Sequence, residues 1–175
     1  MVKTTATDRR ETRRRARTVA ETVTDPELPM LTLADLGVLR DVDVDEDDRV
    51  HVVVTPTYSG CPAIAEMRAE LRHRLLEAGH HDVEVRTALH PPWSSDWISA
   101  EGRRKLAEHG IDPPGNAPQQ NGPTPLTLQP VRRTVRCTRC GSTETEELSP
   151  FSATACRALW RCRHCSEPFE HFKEV

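Results

Sequence analysis

The sequence predicts an α+β chain. A small two-layer sandwich in the order α-β-β-α-β-α is followed by a short C-terminal module stapled by cysteines. Three observations carry this. Val50, Val52 and Val54 fall on one face of an apolar run that follows a partly alternating run at 38–44, which reads as a hairpin. Ile64, Met67, Leu71 and Leu75 recur at helical spacing. Two Cys-x-x-Cys pairs stand near the end of the chain, with residues 141–161 between them.

Residues 1–7 read as a frayed start, and Asp8 to about Thr24 reads as a helix with a narrow apolar stripe of Ala16, Val19, Ala20 and Val23. Arg9, Arg10, Arg13, Arg14, Arg15 and Arg17 surround the stripe, either as a solvated face or as a surface for an anionic partner. Asp25-Pro26-Glu27 stops the helix, because proline disfavours the α region in the residue before it. Leu31 to Leu36 is a short apolar turn or helical piece, and Gly37 permits a reversal. The first strand spans 38–44, Asp45-Glu46-Asp47-Asp48 is a charged turn, and the second strand runs from Arg49 to Thr55. After the loop 55–62, a helix runs from Pro62 or Ala63 to Ala78, with Gly79 suited to its end. Val83, Val85 and Thr87 alternate as a third strand, and Ser99 caps a helix that stops near Gly110. Residues 112–132 hold six prolines among Gly, Asn and Gln, which reads as a linker. The expected organisation is therefore a domain at 8–111, a linker at 112–132 and a second domain at 133–175.

Composition narrows the function. The net charge is −3 and aromatics make up 4% of the chain, so neither a global basic field nor a base-stacking set points to nucleic acid. No run of about 18 apolar residues exists to span a membrane. The polar, Arg-rich start lacks the apolar stretch of a secretory signal, and the expected location is the cytoplasm. Six cysteines in a reducing compartment point to metal binding or reactive thiols before disulfides.

Cys137, Cys140, Cys162 and Cys165 have the spacing of a zinc ribbon. Each two-residue spacer lets both sulfurs face one ion, and four thiolates complete a tetrahedron with no open position, which makes the site structural. Zinc suits this ligand set; iron or an iron–sulfur cluster also takes four thiolates. Cys156 reads either as a small buried hydrophobe or as a further ligand. Cys61 lies where a strand ends and a helix begins, a position whose amides favour a thiolate. Thr55, Thr57, Tyr58 and Ser59 offer hydroxyls beside it, and Asp25 and Glu27 bracket a proline that could bring a carboxylate to the same place. A functional thiol and a buried cap cysteine both fit Cys61 on residue type alone.

Asp25-Pro26-Glu27, Leu36-Gly37-Val38 and the run Thr55-Pro56-Thr57-Tyr58-Ser59-Gly60-Cys61-Pro62 resemble the small α+β family of iron–sulfur cluster assembly factors that includes SufT. Pro92-Trp93-Ser94-Ser95-Asp96-Trp97-Ile98, together with the run from Cys137 through Cys156 and Cys162 to Glu167-Pro168-Phe169, resembles the PaaD branch, accessory subunits of the bacterial phenylacetyl-CoA epoxidase system. The resemblance implies a non-enzymatic maturation factor for phenylacetate breakdown. Cys61 would be the reactive cysteine and Asp25 and Glu27 its acidic pair, with Thr55 and Thr57 nearby. Iron or an iron–sulfur cluster would be a transient cargo and zinc the structural ion. The implied partners are the di-iron epoxidase subunits and their iron–sulfur flavoprotein reductase. A stable docking subunit with an inert Cys61 is the alternative.

Overall fold

The computed structural model describes residues 6–115 and 134–174. The chain divides into two compact units, Met1–Trp93 with Trp97–Gly102 and Ser94–Asp96 with Arg103–Val175. The linker expected over 112–132 lies outside the described residues beyond residue 115; of the frayed start expected over 1–7, residues 1–5 lie outside them, while Ala6 and Thr7 are already helical.

The first unit opens with α1 (Ala6–Ala20), β1 (Leu39–Val44), β2 (Val50–Val54), α2 (Ile64–Glu77) and β3 (Val83–Thr87). β1 pairs antiparallel with β2, and β2 pairs parallel with β3, so α2 is the crossover of a β-α-β unit. α1 packs on β1 and α2, and α2 packs on β3. Val42, Val50 and Val52 are fully buried between the layers, as are Leu71 and Leu75 of α2. The other face carries polar residues: His51 stands opposite Asp43 and Glu84 in register, and its ring reaches Asp45 at 2.9 Å and Glu84 at 3.2 Å.

Three details depart from the sequence pattern for identifiable reasons. α1 ends at Ala20 rather than near Thr24, because Val23 and Asp25 pair instead with the apolar turn, through Leu33 N to Val23 O (2.8 Å) and Asp25 N to Leu31 O (2.9 Å). The alternation in β1 is imperfect because the register slips between Leu39 and Asp41, a bulge that exposes Arg40 and Asp41 in succession. Helix α2 starts at Ile64, two residues after Pro62, and Ala63 at its cap makes no side-chain bond. Its end matches expectation. Gly79 adopts φ +91°, with Gly79 N bonded to Leu76 O and His80 N to Leu75 O, the double bond of a Schellman cap.

The segment after β3 closes over the reversal at Gly37. Trp93 donates its indole N–H to Leu36 O at 2.9 Å, and the Arg40 guanidinium lies 3.5 Å from the centroid of the Trp97 ring. Gly37 has φ +67°, and a Cβ there would lie 2.6 Å from Trp97 Cβ and Trp97 O. α3 (Ala100–Glu108) is capped as predicted, with the Ser99 hydroxyl accepting from Gly102 N at 2.9 Å.

In the second unit, β4 (Ile111–Asp112), β5 (Thr145–Ser149), β6 (Arg157–Cys162) and β7 (Pro168–Phe172) form a sheet in the order β4-β7-β6-β5. Ile111 and Asp112, which the sequence pattern places at the boundary of domain and linker, instead pair in parallel with Glu170 and His171. The buried His171 ring bonds Asp112 through Nδ1 at 2.8 Å, while its Nε2 lies 3.4 Å from Glu174. Burial alone would push this imidazole down, but the two carboxylates outweigh it and hold His171 up at about 9. The bond from His171 in turn holds Glu174 down at about 2.

Two outcomes follow from this geometry. Gly37→Ala will lower the unfolding midpoint of the first unit by more than Gly79→Ala, about 2 kcal/mol or more against about 1 kcal/mol, since both positions require positive φ but only Gly37 also meets a neighbour. Chemical denaturation followed by circular dichroism measures the difference. In the second unit, a folded-state pKa raised above the ordinary imidazole value stabilises the fold fully below about pH 6.5. That contribution declines as pH rises and is gone once His171 deprotonates at about 9. Asp112→Asn should remove most of this alkaline loss, on the order of 2 kcal/mol. Unfolding of metal-loaded protein between pH 6 and 10 reads it.

Candidate metal centre and cysteine loop

The structure brings Cys137, Cys140, Cys162 and Cys165 together, with all four sulfurs within 4.8 Å of one another. Cys137 Sγ lies 3.7 Å from Cys165 Sγ, and Cys140 Sγ lies 3.6 Å from Cys162 Sγ. Sulfurs about 2.3 Å from a central ion define a tetrahedron with edges of about 3.8 Å, so the donor set fits a four-thiolate metal ion. Two matching turns create the geometry. Cys137 N bonds Ser142 O and Gly141 N bonds Cys137 O, while Cys162 N bonds Glu167 O and Ser166 N bonds Cys162 O, all at 2.9–3.0 Å. The residue after each second cysteine is left-handed, Gly141 at φ +72° and Ser166 at φ +62°.

Charge on the four sulfurs cannot be spread evenly without a cation. The Ser142 amide pulls the Cys140 thiol down, but desolvation and the three neighbouring sulfurs outweigh it and push it up to about 12. Cys162 is held down to about 6, chiefly by the amides of Cys165 and His164. A divalent ion removes this conflict by holding all four as thiolates. The apolar support is thin: Val135, Ala158, Trp160 and Phe169 pack around the buried Cys137 and Cys162. His164 is exposed, and Cys156 is no part of the group. Cys156 precedes β6 at the end away from Cys162, about 20 Å along an extended strand, and its sulfur meets the Thr154 hydroxyl at 3.0 Å.

Cys61 lies on the loop between β2 and α2, with Cys61 N bonded to Tyr58 O and Ile64 N to Cys61 O. It is 7% exposed, less open than a loop thiol beside Gly60 suggests. Thr55 is buried and continues β2 through its N–H to Val38 O, and Thr57 is half-buried. Asp25 and Glu27 point to different environments. Asp25 is buried and accepts from Glu27 N at 2.8 Å and Leu28 N at 2.9 Å, so proline at the next position makes it the holder of a turn; Glu27 is exposed. That turn lies beside the first half of α2: Thr24 and Pro26 share a groove of about 370 Å³ with Glu66, Met67, Glu70 and His73. The inward-facing His171 escaped the sequence pattern, since a lone histidine near the chain end carries no periodic signal.

Ser166→Gly should stabilise the metal turn by about 0.5–1 kcal/mol, because glycine carries no Cβ penalty at φ +62°. Slower metal loss to a chelator would register the gain. Gly141→Ala should speed the loss.

Comparison with known proteins agrees with both units. The family model described as "Iron-sulfur cluster assembly protein" matches residues 13–87, and the model described as "PaaD zinc beta ribbon domain" matches residues 121–173. The chain is 40% identical over 152 residues to a component of the "Putative 1,2-phenylacetyl-CoA epoxidase" of Escherichia coli (strain K12), a match that covers 86% of each protein. It is 38% identical over 80 residues to the "Fe-S protein maturation auxiliary factor YitW" of Bacillus subtilis (strain 168), covering 45% of this chain and 78% of that protein. Among solved structures, the DUF59 domain from Bacillus anthracis is 26% identical with a TM-score of 0.54, covering 58% of this chain and 97% of that one. With an assembly-type domain ahead of a four-cysteine ribbon, and near full-length similarity to an epoxidase component, the chain belongs to the PaaD family.

Proposed function

We propose that this chain is a non-enzymatic maturation factor that passes iron or an iron–sulfur cluster to components of a phenylacetyl-CoA epoxidase, working in the cytoplasm. The observation that carries the proposal is the separation of its thiols. The ribbon commits four sulfurs to one closed site, and Cys61 is the one cysteine of the first unit, on the loop that starts α2. A closed four-thiolate site has no position for substrate, and zinc is the ion that fits its structural role. One thiolate supplies one ligand to iron and holds it weakly, which suits release to a client offering more ligands. Similarity to proteins named Fe-S protein maturation auxiliary factors supports metal handling by the first unit. Similarity to an epoxidase component supports an epoxidase and its iron–sulfur reductase as clients.

On this reading Asp25 acts through its turn, positioning the segment beside α2, while Glu27, Thr55 and Thr57 shape the surroundings of the loop. A second reading rests on one specific observation. With 7% exposure, Cys61 also suits a packed residue in a stable docking subunit that transfers nothing.

Cys61→Ala separates the two. The variant should fold and keep the ribbon metal, while epoxidase components matured with it as the sole accessory chain lose most of their iron and activity, tenfold or more. Asp25→Ala should act in the same direction but more weakly. Full iron loading with Cys61→Ala would leave the docking reading standing.

A further inference from the structure

The first unit has relatives that manage without a ribbon. The Fe-S protein maturation auxiliary factors of Bacillus subtilis and Staphylococcus aureus match 45% and 44% of this chain over 78% and 88% of their own lengths. The second unit is therefore an addition, and its saturated metal site leaves it recognition rather than chemistry.

Among the described residues, its surface carries a feature that folding does not require. Phe151 is 62% exposed and Leu148 is 47% exposed. Leu148 sits at the register slip of β5, which ends the sheet order β4-β7-β6-β5 and so presents a free edge among the described residues. Phe151 is displayed from a braced backbone. Its carbonyl accepts from the Ser149 hydroxyl at 2.6 Å, its N–H donates to the same oxygen at 3.2 Å, and Lys173 Nζ bonds the neighbouring Pro150 carbonyl at 3.0 Å. An aromatic side chain on fixed backbone loses little freedom on binding. The Lys173 ammonium lies 4.5 Å from the Phe151 ring centroid and has no carboxylate partner among the described residues, whereas Arg139, Arg157, Arg161 and Arg163 each pair with a glutamate.

We propose that Leu148 and Phe151, with Lys173 at the rim, dock this chain onto a component of the epoxidase whose surface offers an apolar pocket bordered by a carboxylate. The proposal rests on the maturation reading only for the identity of the partner. The pairing of a braced aromatic with a cation that faces no acid sets the chemistry of the complement: an apolar cavity for the ring and a carboxylate for the ammonium. A second copy of the chain fits less well, because a twofold contact centred on this patch sets two Lys173 ammonium groups near each other.

The test uses the full-length, metal-loaded chain and each purified epoxidase component, with affinity read by biolayer interferometry. Wild type should bind one of them. Phe151→Asp should weaken binding about tenfold or more, and Phe151→Ser should do so without adding charge. Lys173→Glu should weaken it several-fold and remove part of its salt dependence. Metal content and circular dichroism should be unchanged throughout, as expected for exposed positions. Wild-type affinity in Phe151→Asp, no binding of wild type to any component, or a wild-type dimer that Phe151→Asp converts to monomer without loss of component binding would each overturn the proposal. Cys61→Ala keeps the two ideas separable: it should bind the epoxidase component normally. Lost docking in Phe151→Asp together with full iron loading by Cys61→Ala would uphold the surface and sink the transfer role.

Discussion

Four sulfurs within 4.8 Å of one another are the constraint on which the second unit depends. Like charges at that distance oppose folding unless a cation offsets them, and the ion that does so also fixes both cysteine turns. The second turn, by placing Cys162 and Pro168, fixes where β6 ends and β7 begins. Arg163 N to Glu144 O at 2.8 Å then ties that turn to the approach to β5. The apolar cluster of Val135, Ala158, Trp160 and Phe169 is too small to order some 40 residues alone, and apparent metal-binding energies of about 10–16 kcal/mol supply what it lacks.

The first unit needs no such staple. Its two helices pack on the sheet, burying Ala16 and Ala20 of α1 with Met67, Leu71 and Leu75 of α2, and valines of the strands and leucines of the apolar turn after α1 are buried as well. Its single cysteine is therefore not required to hold the fold together. The two units thus treat cysteine oppositely: one consumes four sulfurs to make structure, and the other folds on apolar packing and carries one thiol on a loop. This contrast, more than any single distance, makes the chain suited to metal handling while its own ion stays locked away.

Most of the fold was legible because two periodicities were clean. Val50, Val52 and Val54 predicted β2 and are buried, and Ile64, Met67, Leu71 and Leu75 predicted the inner face of α2; Met67, Leu71 and Leu75 are buried, while Ile64 at the helix start is half-buried. The cysteine spacing picked out the four residues whose sulfurs the structure brings together. What escaped were features set by tertiary pairing. The early end of α1 is decided by Leu33 and Leu31 competing for Val23 and Asp25, partners that no local pattern reveals. The two-residue β4 is too short for alternation and exists because β7 and the His171–Asp112 bond receive it. Asp25 and Glu27 looked equivalent across Pro26, yet the turn buries one carboxylate on backbone amides and leaves the other in water.

The burial of Cys61 sharpens what transfer would demand. A thiol with 7% exposure cannot hold an ion in an open coordination sphere unless its loop shifts. Ser59, Gly60 and Pro62 on this loop are exposed, and α2 begins without a side-chain cap. The bonds from Cys61 N to Tyr58 O and from Ile64 N to Cys61 O are among those that such a shift would disturb. On the transfer reading, the resting state shields the thiol from oxidation, and opening belongs to the encounter with a client. An interface that delivers the client first, and chemistry that follows on the cysteine loop, would make exposure of the sulfur conditional on the right partner being bound.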